Sequence, residues 1–469
     1  MANALVWLRR DLRLHDNPAL AQAVSDGYAP VLVYVHAPQE QGDWAPGAAS
    51  RTWLHHSLIA LQQAIAEIGG RLIIAHGQSL HELERLQAET QAEALYFSNL
   101  YEPILQARDG RVQAAFEQRG LTVKRFNANL LFEPWQIKTG GGTPYKVFTP
   151  FWRNASAQLS LRQPYPRPDR LPDFGGTGLT IDALGLLPER DWHAGFWQYW
   201  QPGESGAAEM LDIFCEGAID GYKEQRNLPD RTGTSKLSPH LHFGEISPQQ
   251  IWRRIERVRL SESAQADLGH FKSELGWREF SYHLLHHFPD SSDRNLNPQF
   301  ERFAWAEADP ELLSAWQRGR TGIPIVDAGM RELWHTGWMH NRVRMIVASF
   351  LCKNLRMHWL HGARWFWDTL LDADLANNSQ GWQWTAGTGC DAAPYFRIFN
   401  PVTQAERFDP QARYIKRWVP ELSALPAPVV FAPWTKPAVS AALAPDYPSI
   451  PVADLAESRQ SALAAYSRR

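Results

Sequence analysis

The residue pattern of this chain changes at about residue 130, and this change constrains the fold more than any other feature. Before it, five short apolar runs rich in β-branched and aromatic residues alternate with segments of helical spacing. The runs cover residues 4–8, 31–35, 71–75, 94–97 and 121–126. Such alternation predicts a parallel, doubly wound sheet with helices on both faces.

Two helix starts can be predicted within this first part. Asn17 followed by Pro18 is typical of an N-cap and the first helical residue. Ser50 is expected to cap a second helix, which Gly69 and Gly70 would end. The loop after the first run, RRDLRLHD, contains no G-x-G-x-x-G, so the usual dinucleotide-binding fingerprint is absent.

Beyond residue 130 the pattern first becomes irregular and then helical. GGGTP, RQPYPRPDRLP and FGGTG predict a long connector over 131–205. Strand signals then disappear, and Ser247-Pro248 marks one clear helix start. We therefore predict an α/β domain over 1–130, a connector over 131–205 and an all-helical domain over 206–469. The Pro- and Ala-rich tail after 425 is expected to wrap the surface or fray. Helical spacing covers 206–225, 248–258, 263–287, 323–336, 340–357 and 361–371.

Composition excludes several classes of protein. The three cysteines lie far apart in sequence, which argues against a disulfide framework and against a zinc site. The first apolar run is too short for a signal peptide, and no later run is long enough to span a bilayer, so we expect a cytoplasmic protein. A net charge of -3 excludes coating of nucleic acid by charge alone. A local excess of basic residues between Trp338 and Arg417 is compatible either with nucleic acid or with an ordinary helix surface.

Tryptophan is unusually frequent, with 21 in 469 residues, and it marks one polar stretch in particular. DADLANNSQGWQW (372–384) is either a solvated loop or the lining of a pocket, and Trp382 and Trp384 favour the pocket. In SELGWREF, Glu274, Trp277 and Arg278 have the spacing of a single helix face. The hydroxyls of RTGTSKLSPHLHFGEISP could hold an anion or merely cap helices. The histidines lack metal-ligand spacing, and we predict no metal site.

Taken together, these motifs resemble the photolyase/cryptochrome family. The resemblance runs in order from residue 5 to about 420, through WLRRDLRLHDNPAL, GTSKLSPHLHFGEISP, GWREF, TGIPIVDAGMRELWHTGWMHNRVRMIVASFL, DADLANNSQGWQW and DAAPYFRIFNP. It implies an N-terminal α/β domain, a connector and a C-terminal helical domain that binds FAD. This agrees with the layout predicted from the residue pattern.

Four features resemble the branch of the family that repairs cyclobutane pyrimidine dimers. Asn341 and Met345 stand where (6-4) photolyases carry histidines, and DASH cryptochromes usually carry Gln in place of Met345. Trp277 with Glu274 resembles the dimer-binding wall of photolyases, and plant cryptochromes tend to have Asp where this chain has Asn378. The resemblance therefore implies a lyase that uses light, and an electron from excited reduced FAD, to split a dimer flipped out of DNA.

The resemblance also implies roles for individual residues. Binding of the dimer and DNA is assigned to Arg226, Glu274, Trp277, Asn341, Arg342, Met345, Trp384, Arg397 and Gln404. Binding of FAD is assigned to Tyr222, Thr234, Ser235, Leu237, Ser238, Arg344, Asp372, Asp374 and Asn378. Catalysis is assigned to Glu274 and Asn378 and to a tryptophan relay of Trp382, Trp359 and Trp305, with Trp316 as a competitor for the third place that is expected to be core.

A second, light-harvesting chromophore is also implied. Relatives that bind folate often carry an Asn-Glu pair where this chain has Ile104 and Leu105. Methenyltetrahydrofolate is our first expectation and a deazaflavin our second, with the WLHHSL segment suggesting a differently arranged site. We expect a monomer that acts on damaged DNA without a membrane or an obligatory protein partner. A cryptochrome-like photoreceptor is the alternative, and a flavoprotein of dark metabolism is disfavoured because no nicotinamide fingerprint is present.

Overall fold

The first part of the chain folds around a five-stranded parallel sheet. The computed structural model describes residues 1–175, 178–258, 262–391 and 396–469. The strands are β1 (Asn3–Leu8), β2 (Ala29–His36), β3 (Leu72–His76), β4 (Ala92–Ser98) and β5 (Thr122–Phe126). Their order in the sheet is β3-β2-β1-β4-β5, which confirms the predicted doubly wound sheet.

The described helices are numbered in chain order. They are α1 (Pro18–Ser25), α2 (Ala48–Glu67), α3 (Ser79–Thr90), α4 (Pro103–Gln118), α5 (Phe148–Ala157), α6 (Glu204–Ile213), α7 (Tyr222–Gln225), α8 (Ser238–Phe243), α9 (Pro248–Ile255), α10 (Glu262–His287), α11 (Pro310–Gln317), α12 (Pro324–Thr336), α13 (Asn341–Ser349), α14 (Trp359–Thr369), α15 (Leu375–Ala386), α16 (Pro401–Phe408), α17 (Arg413–Trp418), α18 (Pro437–Leu443) and α19 (Leu455–Ser467). Within the described residues after β5 there is no further strand, as the pattern predicted. None of the described helices is long and apolar enough to cross a membrane.

The side chains of β1 show why the sheet is covered on both faces. Leu5 and Trp7 pack into one apolar core with residues of α3 and α4. Val6 and Leu8 belong to another core, which contains residues of α1 and α2. Because successive side chains of a strand point to opposite faces, a strand that is apolar at every position is buried on both.

The loop after β1 joins the sheet to the helical part. Arg13 is fully buried, and its guanidinium donates to the carbonyl oxygens of Ala128 and Gly244, at 2.7 Å each. The Leu12 amide donates to the Phe243 carbonyl at 3.2 Å. In many doubly wound sheets this loop holds a dinucleotide. Here it is occupied by contacts with α8 and the turn that follows it.

Three details of the sequence prediction were wrong. Helix α2 begins at Ala48, and Asp368 of α14 accepts from the Ala48 amide at 2.9 Å, whereas the Ser50 hydroxyl donates to the Leu370 carbonyl at 3.3 Å. The connector is not irregular throughout, since it contains α5. The tail does not simply wrap or fray: it forms α18 and α19. The domain boundaries at 130 and 205 stay predictions.

Candidate functional site

Helices α10, α13 and α15 converge on a cavity with a volume of about 600 Å³. Helix α10 turns Glu274, Trp277 and Arg278 toward this cavity, as their spacing predicted. The stretch 375–384 is helical, and Trp382 and Trp384 line the cavity from α15. The pocket interpretation of that stretch is therefore correct.

Local capping sets where α13 and α15 begin. The His340 ring accepts from the Arg342 amide at 3.2 Å, and the first residue of α13 is Asn341. The Asp374 carboxylate accepts from the Asn377 amide at 2.9 Å at the start of α15. Each cap therefore fixes the helix turn whose side chains face the cavity.

Most of the predicted site residues lie together around this cavity. They are Tyr222, Arg226, Ser235, Leu237, Ser238, Glu274, Trp277, Asn341, Arg342, Arg344, Met345, Asp372, Asp374, Asn378, Trp382 and Trp384. Thr234 lines an adjoining cleft of about 290 Å³ that Ser235 shares with the main cavity. Arg397 lines a small cavity behind Trp384.

Some predicted residues lie away from the cavity lining. Gln404 is on α16, the helix that ends at Phe408, and the Arg342 guanidinium lies 4.4 Å from the Phe408 ring centre. Residues 392–395 of the motif DAAPYFRIFNP lie outside the described residues. Trp359 and Trp305 belong to the apolar core beneath the site.

One wall of the cavity is a stacked pair of aromatic rings. The Trp277 ring lies on the Phe148 ring with centres 3.8 Å apart and planes 10° from parallel. Phe148 is the first residue of α5, in the connector. Because Trp277 also lines the cavity, this stack holds an aromatic surface in place beside it.

Charged groups are paired at the floor of the cavity. The Arg344 guanidinium donates to both oxygens of Asp372, at 2.8 and 3.1 Å. Burial opposes ionisation of Asp374, but His242, Arg278 and a hydrogen bond from the Tyr282 hydroxyl outweigh it and hold the pKa of Asp374 well below its usual value. The floor therefore combines one paired cation with two carboxylates.

Glu274 lies at the side of the cavity in an ion pair with Arg226. The Glu274 oxygen is 2.7 Å from the Arg226 guanidinium. Burial raises the pKa of Glu274, although Arg226 and Arg342 oppose this rise. An acid poised in this way can accept or donate a hydrogen bond at the edge of a heterocycle.

Three buried polar atoms of cavity-lining residues lack a hydrogen-bond partner among the described residues: Nδ1 of His242, which lies 3.8 Å from the Asp374 carboxylate, Nε of Arg342 and Nε1 of Trp382. Buried polar groups are normally satisfied, so a bound molecule is expected to supply these partners. The volume, the aromatic lining and the paired charges suit a large cofactor with a flat ring and room for a second ring system beside it.

Sequence reasoning missed several residues of the site. His242, Phe366, Gln380 and Cys390 line the cavity, and Phe148 supports its wall. His242 lies in the motif GTSKLSPHLHFGEISP, but no spacing distinguished it from its neighbour His240. Phe148 could not be found from spacing because it is distant from Trp277 along the chain.

The three relay tryptophans are not in ring-to-ring contact in a single series. His358 lies between two of them, with its ring centre 5.5 Å from Trp359 and 5.0 Å from Trp305. The ring neighbours of Trp382 are Phe366 at 5.0 Å and Trp316 at 6.1 Å. Trp316 is fully buried in the core, as expected, and donates to the Val347 carbonyl at 3.1 Å. The relay stays a prediction.

A separate cleft of about 450 Å³ is lined from both parts of the molecule. Ile104 and Leu105 lie in its wall together with Trp44, Glu102 and Arg294. Its wall thus has aliphatic side chains at the positions where folate-binding relatives were expected to have Asn and Glu. The WLHHSL segment lies within α2.

Comparisons with known proteins agree with this geometry. Residues 4–169 match the family described as DNA photolyase, and residues 271–468 match the FAD binding domain of DNA photolyase. The chain is 43% identical to the deoxyribodipyrimidine photo-lyase of Agrobacterium fabrum over 99% of this chain and 98% of that protein. It is 38% identical to Cryptochrome-1 of Arabidopsis thaliana over 97% of this chain and 69% of that protein. The crystal structure of a bacterial class III photolyase from Agrobacterium tumefaciens superimposes with a TM-score of 0.95, at 42% identity, covering 100% of this chain and 97% of that one.

Proposed function

The chain belongs to the photolyase/cryptochrome family, and from this premise we propose that it is a deoxyribodipyrimidine photo-lyase, which uses light to split cyclobutane pyrimidine dimers in DNA. The observation that carries this proposal is a single cavity that joins the Trp277 wall and Glu274 to the Arg344–Asp372 pair. Such a cavity can seat an extruded pyrimidine dimer next to a bound cofactor.

FAD is the cofactor of this proposal. Arg344, Asp372, Asp374 and Asn378 would surround its ring system, and Tyr222, Thr234, Ser235, Leu237 and Ser238 would hold its phosphate and ribityl part. The chemistry that bound FAD supplies is donation of one electron from its reduced, light-excited form. The Arg344–Asp372 pair would set the local charge beside the ring, since a nearby guanidinium favours an anion.

The chain's own residues would bind and orient the lesion. A pyrimidine dimer must leave the duplex to reach a buried cofactor, and unstacking is easiest at a damaged step. Trp277 and Trp384 would stack on its rings, and Met345 would pack against it. Glu274 and Asn341 would hydrogen-bond its polar edges.

The DNA strand itself would be held by basic and polar residues in and around the cavity: Arg226, Arg342, Arg397 and Gln404. Because such contacts neutralise phosphates, binding should weaken as the salt concentration rises. A monomer that needs no protein partner, a cytoplasmic location and a tryptophan relay through Trp382, Trp359 and Trp305 are part of this proposal. So is a second chromophore, with methenyltetrahydrofolate ahead of a deazaflavin.

The test is repair by reduced, FAD-loaded protein of an oligonucleotide that carries one thymine dimer. Under blue light the dimers should disappear, and in the dark they should persist. Trp277→Ala should lower dimer affinity roughly tenfold or more, because stacking on an aromatic ring contributes about 1–3 kcal/mol per base. Glu274→Ala should also reduce repair, whereas Glu209→Ala, an exposed change on α6, should not.

The alternative function is a cryptochrome-like photoreceptor, and the identity to Cryptochrome-1 of Arabidopsis thaliana is the observation in its favour. The same experiment separates the two. Photoreduction of bound FAD without any light-dependent loss of dimers would contradict repair and favour the photoreceptor.

A further inference from the structure

His270 forms a contact with the ion pair at the side of the cavity. One nitrogen of the Arg226 guanidinium, Nη1, lies 2.7 Å from a Glu274 oxygen and 2.9 Å from Nε2 of His270. This nitrogen carries two hydrogens, so it can donate to both partners at once. His270 and Glu274 are one helical turn apart on α10, with 3.9 Å between Nε2 and the carboxylate oxygen.

The contact defines the protonation state of His270. A guanidinium nitrogen has no lone pair to offer, so Nε2 must be the acceptor and cannot carry a proton. The imidazole is therefore neutral in this arrangement, with its proton on Nδ1. Burial lowers the pKa of His270, and the positive charges of Arg226 and Lys223 lower it further, which favours the same neutral form.

The charged groups that face the His270 imidazole determine which contacts it would make if it were protonated. On α10 these are Asp267 and Glu274, and Asp267 already accepts from the backbone amides of Gly221 and Lys223, at 3.0 and 2.9 Å. On α7 and just after it, the facing groups are Lys223 and Arg226, with the Tyr222 ring centre 6.1 Å from that of His270. Arg342 of α13 adds positive charge near Glu274 and Arg226.

We propose that His270 is a positioning residue for lesion recognition: as a neutral acceptor it holds Arg226 against Glu274, and so fixes the carboxylate edge that reads the extruded pyrimidine. This inference rests on the proposed function and deepens it. A protonated imidazole could no longer accept from Arg226. It would repel the guanidinium and compete for the Glu274 carboxylate, 3.9 Å away.

The consequence is a pH dependence with a definite sign. Because the pKa of His270 is lowered from 6.5, the imidazole is neutral at pH 6.5 and above, and it takes up a proton only as the pH falls through this lowered pKa. The preference for dimer-containing over undamaged DNA should therefore fall on acidification. Taking the ratio of the two affinities removes the general strengthening of DNA binding that acidity brings to any basic surface.

The experiment measures this ratio in the dark for the FAD-loaded wild type, His270→Gln and His270→Phe, at pH 7.5 and at a pH one unit below the protonation midpoint that NMR gives for His270 in the wild type. Glutamine keeps an acceptor that cannot titrate, so the fall in the wild type should exceed the fall in His270→Gln by about threefold or more, in line with the net contribution of a typical hydrogen bond. His270→Phe should have a low ratio already at pH 7.5, which Gln restores. His286→Gln, at the far end of α10, should behave as the wild type.

A second measurement needs no DNA. In FAD-loaded protein labelled at histidine Cε1, NMR should show that Arg226→Ala raises the protonation midpoint of His270. An unchanged midpoint would overturn the proposal, as would equal falls in wild type and His270→Gln while the dimer preference at pH 7.5 stays intact. A wild type without dimer preference at any pH would instead overturn the repair function, and with it the role of His270 in recognition.

Discussion

At the scale of single residues, the two faces of the Trp277 ring have different environments. Phe148 covers one face at 3.8 Å, and Trp277 lines the cavity. If the open face of Trp277 stacks on the dimer, Phe148→Ala should weaken dimer binding by removing the ring that supports Trp277, although residue 148 itself does not contact the dimer. Offset stacking contributes about 0.5–1.5 kcal/mol beyond area burial, so the expected loss is roughly two- to tenfold in a dark binding titration.

Two further variants make this prediction specific. Phe148→Tyr keeps a flat ring and should keep most of the affinity, whereas Val147→Ala changes the preceding, exposed side chain and should change nothing. A Phe148→Ala protein that folds, retains FAD and binds the dimer as well as the wild type would show that Trp277 does not need this support.

Residue spacing located the side chains that share one helix, and it failed for contacts between distant segments. Glu274 and Trp277 could be predicted as neighbours because they are three positions apart on α10. The support from Phe148 comes from the connector, where no periodicity relates it to α10. His270 could not be singled out from the sequence, because its proposed role depends on its contact with Arg226, which lies outside α10.

At the scale of elements, the start of α9 is marked by hydrogen bonds between residues that are close in sequence. The Ser247 hydroxyl accepts from the Gln250 amide at 3.0 Å, and the Gln250 side chain accepts from the Ser247 amide at 2.8 Å. Ser247→Ala removes the first bond and also the hydrogen bond that the Ser247 hydroxyl donates to the buried Asp16 carboxylate. The two losses together should cost about 2–4 kcal/mol, or roughly 2–4 °C in the unfolding temperature of a chain of this length. Ser247→Thr retains the acceptor and should unfold close to the wild type in thermal scans by circular dichroism. Equal unfolding temperatures for the two variants would contradict this account.

Other elements depend on tertiary partners and were therefore mispredicted. The start of α2 was wrongly placed at Ser50, because the N-cap is Gly47, which has no side chain, and the first helical amide donates instead to Asp368 of α14. Helix α15 was not predicted as a helix, since the polar and aromatic side chains that line a cavity do not give the usual apolar stripe. Helix α19 buries only Ala462 and Ala465 fully, so it too lacks a broad apolar stripe.

At the scale of the whole molecule, the site depends on the seam between the sheet and the helical part. The loop after β1 meets the end of α8 through Arg13 and Leu12. Helix α8 begins at Ser238 and carries His242, both of which line the cavity. We therefore expect the loop after β1 to hold α8 in the position in which Ser238 and His242 line the cavity. This gives the first part of the chain a role that is independent of any second chromophore.

Gly244 provides a test of this seam. Its φ is +66°, a conformation that favours glycine, and a methyl group there would overlap the Arg10 carbonyl of the loop after β1. Gly120, with φ +80° and open space around it, is a matched control, for which alanine should cost about 1–2 kcal/mol of backbone strain. Gly244→Ala should bear the same strain and the clash as well. It should lower the unfolding temperature clearly more than Gly120→Ala and release FAD more readily on gel filtration. Equal unfolding temperatures and equal FAD retention in the two variants would mean that the seam does not hold α8 in place.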